Sequence, residues 1–538
     1  MVSIMHRLTA ILLTVLLLAP ITKAVAEERP TIVVNIVIGS MRADDLERFA
    51  HNFAASGLRL LMEHGVTYKE AYYNYSAAST ASGLATLATG AYPSVHGVVG
   101  EKWWSPTDAQ PMSLIFDSKS SPVPFSTGAR NVSPQRLTAP TYGDMLTSEN
   151  PYSKQFTIAI DDLSSIVLNG RRGMALWVER NQTDWTTSSA YADKLPEWIE
   201  EYNKSDKNET YRMQRWSTLY SASKYHNWEV AVVEGISDKS THLIRGIGRN
   251  IFKSLYGNMS YTPAGNTMLL RFAEQLVLKE SLGKDGDTDV LNIYLDTARN
   301  IAQTYGPESI EYEDMIYRLD NDLIWFIGAI HRHIGINGRA LFVISSDHGT
   351  SPSYNQHGSE PRHRFNHRQM EVIVNAYLGG RYGTDDYVVG YANNSLYLNH
   401  TILADKKLDY ATICDEVATF LLKLQGVSTA ISATSLRNAS FMDGRCKLMQ
   451  HSFFGARSGD ILIDLVPGCI IEDDDYRSLP TSGYVYDRHV PLIIAQIGMQ
   501  KQSVERVVDM TELAPTLCHI MGVSYPWASD QKALSEFY

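Results

Sequence analysis

The sequence predicts an α/β sandwich with a largely parallel central sheet and helices on both faces. Short apolar, β-branched runs alternate with helical patterns along most of the 538 residues. Several of these runs are continuously apolar, which is typical of parallel strands buried on both faces. Two long segments also combine helical periodicity with start and stop signals. In sheets of this kind, ligand sites lie at the carboxyl ends of the strands.

The first 26 residues read as a secretory signal peptide. "LTAILLTVLLLAPI" (8–21) follows a weakly basic start and precedes the small-residue site "AVA" (24–26). The run is too short for a comfortable membrane span. We therefore expect an exported mature chain, residues 27–538, that is periplasmic or secreted and has no transmembrane segment. The alternative is a buried N-terminal helix.

Six runs after this segment are predicted to be strands, and two segments are predicted to be helices. The first helix contains apolar residues spaced three and four apart, and the second begins with an Asp cap and ends with Gly. The strands are 31–39, 156–160, 290–295, 339–346, 460–465 and 490–496, and the helices are 309–335 and 509–522.

Residues 177–285 interrupt the alternation of strands and helices. They are rich in Trp, Tyr, Asn and Ser, as in "NQTDWTTSSAYADKLPEWIEEYN". We interpret them as a cap inserted over the strand ends. Trp and Tyr supply rigid contact area, so this cap is the expected recognition surface, although ordinary cap core explains the composition equally well.

Charge and cysteine content exclude some functions. The net charge of -11 argues against a general nucleic-acid binder, which needs a basic face. The cysteine spacings fit no zinc ribbon or CxxC motif, so we expect no metal role for these residues. An exported protein can form disulfides, but the pairing is open. The cysteines all lie in the last quarter of the chain: Cys414, Cys446, Cys469 and Cys518.

Two short motifs place reactive groups at predicted strand or helix ends. "STASGLATLATGAYPSVHG" (79–97) puts Thr80 at the start of a short helix, and "ISSDHG" puts Asp347 and His348 after a strand. Thr80 is a candidate nucleophile, but Thr is also a favoured N-cap residue. The Asp-His pair is a candidate metal-binding site, with a structural role as the alternative.

These motifs resemble the alkaline phosphatase superfamily. The resemblance also rests on "MRADDLERF", "YGPESIEYEDMIYRLD" and "YVYDRHVPL", and it covers nearly all of the mature chain. It is strongest to the PafA-type bacterial phosphomonoesterases with a Thr nucleophile, which are similar to type I phosphodiesterases and nucleotide pyrophosphatases. The resemblance implies one alkaline-phosphatase-like domain over 27–538 that includes the cap. In this family two zinc ions clamp the phosphate ester.

The same resemblance implies that most of the zinc site has been replaced. Thr80 falls on the nucleophile, and Asp347 and His348 match two ligands of one metal. The remaining four ligand positions, where the family has Asp or His, hold Gly39, Arg299, Gln303 and Pro480. Two of six protein ligands thus remain, so we expect no cofactor, or zinc bound weakly by Thr80, Asp347 and His348.

The phosphate-binding positions have changed as well. An Asn of the family aligns with Glu101, and its Lys-x-Arg aligns with Asp161 and Leu163. A carboxylate about 4 Å from a phosphate oxygen costs about 4 kcal/mol at an effective dielectric near 20. We expect phosphate to be repelled. We also predict that Arg299 occupies the vacated cation site and pairs with Asp347, Glu101 or Asp161.

The downstream segment "HGSEPRHRFNH" contains three further histidines that suggest a substitute metal site. We interpret His357, His363 and His367 as a polar surface loop instead. The predicted function is that of an exported pseudophosphatase, a binding or scaffold protein with an unknown protein or envelope glycan partner. One alternative is an active metal-dependent phosphomonoesterase or phosphodiesterase that uses Thr80, and another is a carbohydrate- or envelope-binding module.

Overall fold

The computed structural model describes residues 29–105, 108–179, 184–205, 215–227, 245–246, 259–353, 364–472, 476–480 and 482–538. The predicted signal peptide (1–26) and two of the downstream histidines, His357 and His363, lie outside these ranges.

The strands are numbered in chain order. They are β1 (Ile32–Ile38), β2 (Gly65–Tyr72), β3 (Lys102–Ser105), β4 (Gln110–Ser113), β5 (Pro122–Val123), β6 (Gln155–Ile158), β7 (Met174–Val178), β8 (Trp185–Ser188), β9 (Arg215–Trp216), β10 (Arg245–Gly246), β11 (Asp289–Leu295), β12 (Ala340–Ser345), β13 (Arg364–Phe365), β14 (Val388–Ala392), β15 (Ser395–Leu398), β16 (Val427–Ser432), β17 (Ile461–Leu465), β18 (Ile470–Ile471), β19 (His489–Gln496) and β20 (Gln502–Asp509).

The α-helices are numbered in the same way. They are α1 (Asp45–Arg48), α2 (Leu58–Glu63), α3 (Thr80–Thr89), α4 (Pro93–His96), α5 (Tyr142–Glu149), α6 (Asp162–Asn169), α7 (Glu197–Asn203), α8 (Ala264–Lys279), α9 (Asp296–Tyr305), α10 (Ile310–Ile334), α11 (His367–Tyr382), α12 (His400–Asp405), α13 (Tyr410–Leu421), α14 (Ala433–Asn438), α15 (Gly444–Ser452), α16 (Val485–Arg488) and α17 (Leu513–Met521).

The predicted α/β fold is confirmed. The central sheet has the order β20-β2-β19-β12-β1-β11-β6-β7-β8-β5. Its middle, from β12 through β1, β11 and β6 to β7, is a continuous parallel run. Apolar clusters cover both faces of this run, which explains why β1, β11 and β12 are apolar along nearly their whole length.

Two predicted strands differ from a simple parallel arrangement. β19 pairs antiparallel with both of its neighbours, β12 and β2. β17 lies outside the central sheet, in a four-stranded sheet of order β14-β15-β17-β16 with its own apolar cluster. Strand pairing depends on contacts distant in sequence, so the apolar pattern predicts these strands but not their partners.

The two predicted helices are also present. Ser309 caps α10 by accepting a hydrogen bond from the backbone of Tyr312. Asp509 caps a short 3-10 turn that continues into α17, and α17 ends at Gly522 in the left-handed conformation.

The predicted cap, residues 177–285, overlaps parts of the main domain. It includes the end of β7, all of β8 and the long helix α8, which packs on the sheet with α10. These parts belong to the central layers because their apolar faces are buried there. Much of the remaining segment lies outside the described ranges, so the insertion itself stays a prediction.

Two findings bear on the cysteines and on membrane association. The four thiols, all in described residues, form no disulfide bond with one another. Among the described helices none is both long and apolar enough to cross a lipid bilayer.

Trp185 is the largest completely buried side chain of β8, and its ring stacks on Phe272 of α8 with centroids 3.6 Å apart. We predict that Trp185→Ala lowers the free energy of unfolding by about 3–5 kcal/mol, because it leaves a cavity between sheet and helix. Equilibrium denaturant unfolding measures this change. In Trp527→Ala, the matched control, a side chain 69% exposed is removed, so the change should stay within about 0.5 kcal/mol.

Candidate functional site

The candidate site lies where the parallel strands end. β1, β11, β12 and β6 run in the same direction, and Ile38 lies opposite Leu295 while Val37 lies opposite Ser345. The residues that follow these strands therefore meet at one edge of the sheet, as expected for an α/β fold. They are Gly39, Ser40, Asp161, Asp296, Asp347 and His348.

Thr80 is the first residue of α3 and not its N-cap. Ser79 caps the helix and forms a reciprocal capping box with Ser82, so the alternative role of Thr80 as N-cap is wrong. The Thr80 hydroxyl is instead directed towards the site. Its Oγ1 lies 3.3 Å from Nη1 of Arg299 and 3.3 Å from Nε2 of His348.

The Thr80 hydroxyl is held by hydrogen-bonding contacts with His348 and Arg299. His348 Nδ1 lies 2.5 Å from the carbonyl oxygen of Gly349, which can only accept, so Nδ1 carries a proton. Nε2 of His348 lies within 3.3 Å of both the Thr80 hydroxyl and Oδ2 of Asp347, and Arg299 donates a hydrogen bond to the Thr80 oxygen. The hydroxyl is thus held between His348 and Arg299.

The carboxylate of Asp347 is completely buried, and each of its oxygens accepts a hydrogen bond. Its Oδ1 accepts from the backbone N–H of Ser40 at 2.9 Å and of His348 at 3.1 Å. Its Oδ2 accepts from the Tyr294 hydroxyl at 2.8 Å and lies 3.3 Å from Nε2 of His348. The oxygens that the resemblance assigns to zinc are therefore occupied by protein donors.

Gly39 is closed to a carboxylate side chain. A Cβ atom at this position would lie 2.8 Å from Cβ of Arg299 and 2.8 Å from the Tyr294 hydroxyl. Both atoms belong to side chains that hold Asp347 or Thr80 in place. A larger residue at position 39 thus requires a change at Arg299 or Tyr294 as well.

Arg299, on the first turns of α9, forms the predicted ion pair. Its Nη2 lies 3.0 Å from Oδ2 of Asp161 and 3.8 Å from Oδ1 of Asp296. The side chains of Arg299 and Asp161 are only 16% and 13% exposed. The ion pair with Asp161 is confirmed, whereas Asp347 is held by Tyr294.

The three groups shift each other's pKa. Burial works to raise the pKa of Asp161, but hydrogen bonding to Asp296 and the charge of Arg299 hold it below its usual range. Burial, and then the negative charge of Asp161, raise the pKa of Asp296 well above its usual range. Burial opposes the charge on Arg299, yet the neighbouring tyrosine and carboxylates raise its pKa well above its ordinary value. Arg299 therefore stays charged, with Asp161 ionised and Asp296 favoured in the protonated form.

Asp161 also has a local structural role. It is the N-cap of α6, and its Oδ1 accepts a hydrogen bond of 2.7 Å from the backbone N–H of Ser164. Leu163, the other substituted position of this segment, is buried in the core beneath the site.

Gln303 and the segment before Pro480 are brought together. The backbone carbonyl of Gln303 accepts hydrogen bonds from the N–H groups of Arg477 and Ser478. Ser478 is buried and donates to the carbonyl of Ser351, just after Asp347 and His348. The structure thus brings Gln303 and the segment before Pro480 next to the loop that follows the Asp-His pair.

Two other candidates do not join the cluster. The Glu101 side chain is exposed, and within the described ranges its carboxylate forms no ion pair. His367 is not in a loop: it begins α11, where its Nδ1 lies 2.9 Å from Glu371 and its ring stacks on Tyr391. That part of the surface-loop interpretation is wrong, because Asn366 caps a helix there.

The main residue that sequence reasoning missed is Tyr294. It lies one residue before the end of β11, and within an apolar strand its orientation cannot be read from the pattern. Asp296 is a second such residue: its carboxyl group accepts a hydrogen bond from the backbone N–H of Ile160 at 2.6 Å.

The side chains do not fit a two-zinc centre. Zinc sites need three or four His, Cys, Asp or Glu ligands around one point. In the described part of the chain, no three such residues are placed to hold a metal ion. A guanidinium and a tyrosine hydroxyl lie where the resemblance places metals and their ligands.

Comparisons with known proteins agree with this fold. A sequence profile of the type I phosphodiesterase/nucleotide pyrophosphatase family matches residues 33–485. The chain is 27% identical over 526 residues to alkaline phosphatase PafA of Elizabethkingia meningoseptica, covering 96% of this chain and 95% of that protein. It is 26% identical over 530 residues to alkaline phosphatase PhoV of Synechococcus elongatus, covering 94% and 93%. The crystal structure of wild-type PafA has a TM-score of 0.85 and 26% identity, covering 95% and 99%. The predicted resemblance is confirmed.

Removing the charge of Arg299 should destabilise the fold. We predict that Arg299→Met lowers the free energy of unfolding by about 3–5 kcal/mol, because it leaves Asp161 as a buried, unpaired carboxylate. Denaturant unfolding at neutral pH measures the loss. Lys501→Met is the matched control: it breaks an exposed ion pair with Glu63 and should cost at most about 1 kcal/mol. Adding Asp161→Asn to Arg299→Met should recover part of the loss, and no recovery would contradict the ion-pair explanation.

The cost of Arg299→Met should also depend on pH. In the native protein the lowered pKa of Asp161 contributes stability that is present above its unfolded pKa of about 4 and is lost on acidification. Without Arg299, burial raises the pKa of Asp161, so stability is lost as pH rises through the new folded pKa. The difference between wild type and variant should therefore grow from about pH 4 to pH 7. A difference that is constant over this range would indicate lost packing alone.

Proposed function

Since the chain belongs to the type I phosphodiesterase/nucleotide pyrophosphatase family, we propose that it is a catalytically inactive member that acts as a binding or scaffold protein. We further propose that it is exported, on the basis of the predicted signal peptide over residues 1–26. The relatives named above are called alkaline phosphatases. The proposal is that this chain has kept their fold without their reaction.

The observation that carries the proposal is the ion pair of Arg299 with Asp161. It places a fixed guanidinium, rather than an exchangeable metal ion, beside the Thr80 hydroxyl. A metal activates a hydroxyl by lowering its pKa and leaves a position open for the substrate. Arg299 can only donate a hydrogen bond, and it is already committed to Asp161.

The charge of the site supports the same proposal. Arg299 contacts Asp161 and Asp296, and Asp347 lies 3.3 Å from His348, which contacts Thr80. Even with Asp296 protonated, two carboxylates outweigh one guanidinium. A phosphate dianion entering this edge of the sheet meets net repulsion instead of the cationic clamp that phosphoryl transfer requires.

One observation favours the alternative of an active, metal-dependent hydrolase. The three residues retained from the family, Thr80, Asp347 and His348, are still in contact, with 3.3 Å from Thr80 Oγ1 to His348 Nε2. A single metal held by these side chains would have to displace Tyr294 from Asp347 and Arg299 from Thr80.

The decisive measurement is zinc content together with phosphatase and phosphodiesterase turnover, in wild type beside Thr80→Ala. We expect no stoichiometric zinc after incubation with the metal, and turnover no higher than in Thr80→Ala, because donors already occupy the oxygens of Asp347. Stoichiometric zinc with turnover that disappears in Thr80→Ala would establish the alternative.

A restored variant serves as the positive control for metal retention. It carries the family's ligands as Gly39→Asp, Arg299→Asp, Gln303→His and Pro480→His. A Cβ at position 39 would lie 2.8 Å from Cβ of residue 299 and 2.8 Å from the Tyr294 hydroxyl, so thermal unfolding must first show that this variant is folded. If this variant retains zinc and wild type does not, the four natural residues at these positions account for the lack of zinc binding in wild type.

A further inference from the structure

A cleft of about 190 Å³ opens beside the site. It lies between the end of β7, the start of α6 and the loop around Arg130, and Asp161 forms part of its wall. Trp177, at the beginning of the predicted cap, lines it together with Val178 and Ile160. The cleft thus combines an apolar wall with several charged side chains, as small-molecule sites do.

Two of the three acidic residues that line the cleft are neutralised by arginines. Asp162 forms a two-pronged ion pair with Arg130, in which Nε lies 2.9 Å from Oδ2. Asp161 pairs with Arg299 on the side of the candidate site. These two carboxylates therefore contribute almost no net charge to the cleft.

The third acidic residue, Glu179, forms no ion pair with any residue that the structure describes. It is only 7% exposed and lines the cleft. Among the described residues no donor or cation contacts its carboxylate. The nearby charge is of the same sign: burial, and then the charge of Glu179, raise the pKa of Asp184. An unpaired carboxylate that lines a cleft in an otherwise buried side chain is available to a cation or a hydrogen-bond donor of a ligand.

We propose that the cleft binds a small organic cation, with its ammonium group on Glu179 and its apolar body against Trp177. Among the described residues, the three carboxylates of the cleft and the two guanidinium groups paired with them leave one negative charge, which one ammonium group neutralises. Aromatic side chains add to the binding of such cations. A cavity of roughly 150 Å³ holds benzene, so a cleft of this size holds an arylalkylammonium ion.

The geometry disfavours an inorganic cation. In the described part of the chain, no three His, Cys, Asp or Glu side chains converge as metal ligands. The side chains of Ile160, Trp177 and Val178 offer no lone pair to a metal ion, whereas they suit a hydrocarbon body. The proposal is independent of whether Thr80 is active, because it rests on Glu179.

Isothermal titration of the mature full-length chain with a charge series tests the proposal without any variant. We expect benzylammonium to bind, benzyl alcohol to bind about tenfold more weakly or worse, and benzoate not to bind, because only the first neutralises Glu179. Equal binding of benzyl alcohol, absence of benzylammonium binding, or displacement of benzylammonium by calcium or magnesium ions at matched ionic strength would each overturn it.

The variant Glu179→Gln keeps the side-chain shape and removes its charge. It should weaken benzylammonium binding about tenfold or more, with little effect on benzyl alcohol. Glu197→Gln, at an exposed position of α7, is the matched control and should bind like wild type. Thermal unfolding of both variants shows whether they are folded. Unchanged affinity in a folded Glu179→Gln would refute the site.

Repeating the titration in Thr80→Ala separates this inference from the proposed function. Benzylammonium binding should be unchanged there, since Thr80 does not line the cleft. Zinc-dependent turnover in wild type would refute the inactive assignment and leave the cation site standing. If wild type neither binds benzylammonium nor shows turnover, the cation site is refuted and the inactive assignment stands.

Discussion

The arrangement of this site depends on the cost of burying several carboxylates at one sheet edge. The parallel strands β6, β11 and β12 end at the same level, so the acidic residues that follow them, Asp161, Asp296 and Asp347, meet there. Uncompensated charges in such a place would destabilise the fold. Arg299 neutralises Asp161, protonation relieves Asp296, and Tyr294 with backbone donors satisfies Asp347. Each carboxylate is thus stabilised in a different way, by groups of the protein itself.

The hydrogen bond of Tyr294 and the ion pair of Arg299 are linked by close packing against position 39. Tyr294 and Arg299 fit against Gly39, where a Cβ atom would lie within 2.8 Å of both. The small residue at position 39 is thus a condition for the tyrosine hydrogen bond and for the arginine ion pair. A carboxylate at this position would require Arg299 or Tyr294 to change as well, so Gly39→Asp alone does not restore a zinc ligand.

The sequence predicted the local features of this protein better than its long-range ones. Apolar runs in the sequence predict strands β1, β11 and β12, and apolar periodicity with a start signal predicts helix α10. The ion pair of Arg299 followed from charge balance once the family positions were aligned. The placement of β17 in a second sheet and the direction of β19 did not, because pairing partners lie far apart in sequence. The role of Tyr294 could not be predicted, because the pattern of an apolar strand does not show which of its side chains reaches the site.

Retention of Thr80 and His348 has a structural explanation that needs no catalysis. Ser79 caps α3, so Thr80 is free to link Arg299 to His348, and His348 in turn donates to Gly349. This chain of hydrogen bonds ties α3 to α9 and to the loop after β12. The Thr80 hydroxyl therefore holds three elements together at the edge of the sheet, a packing role that is independent of any reaction.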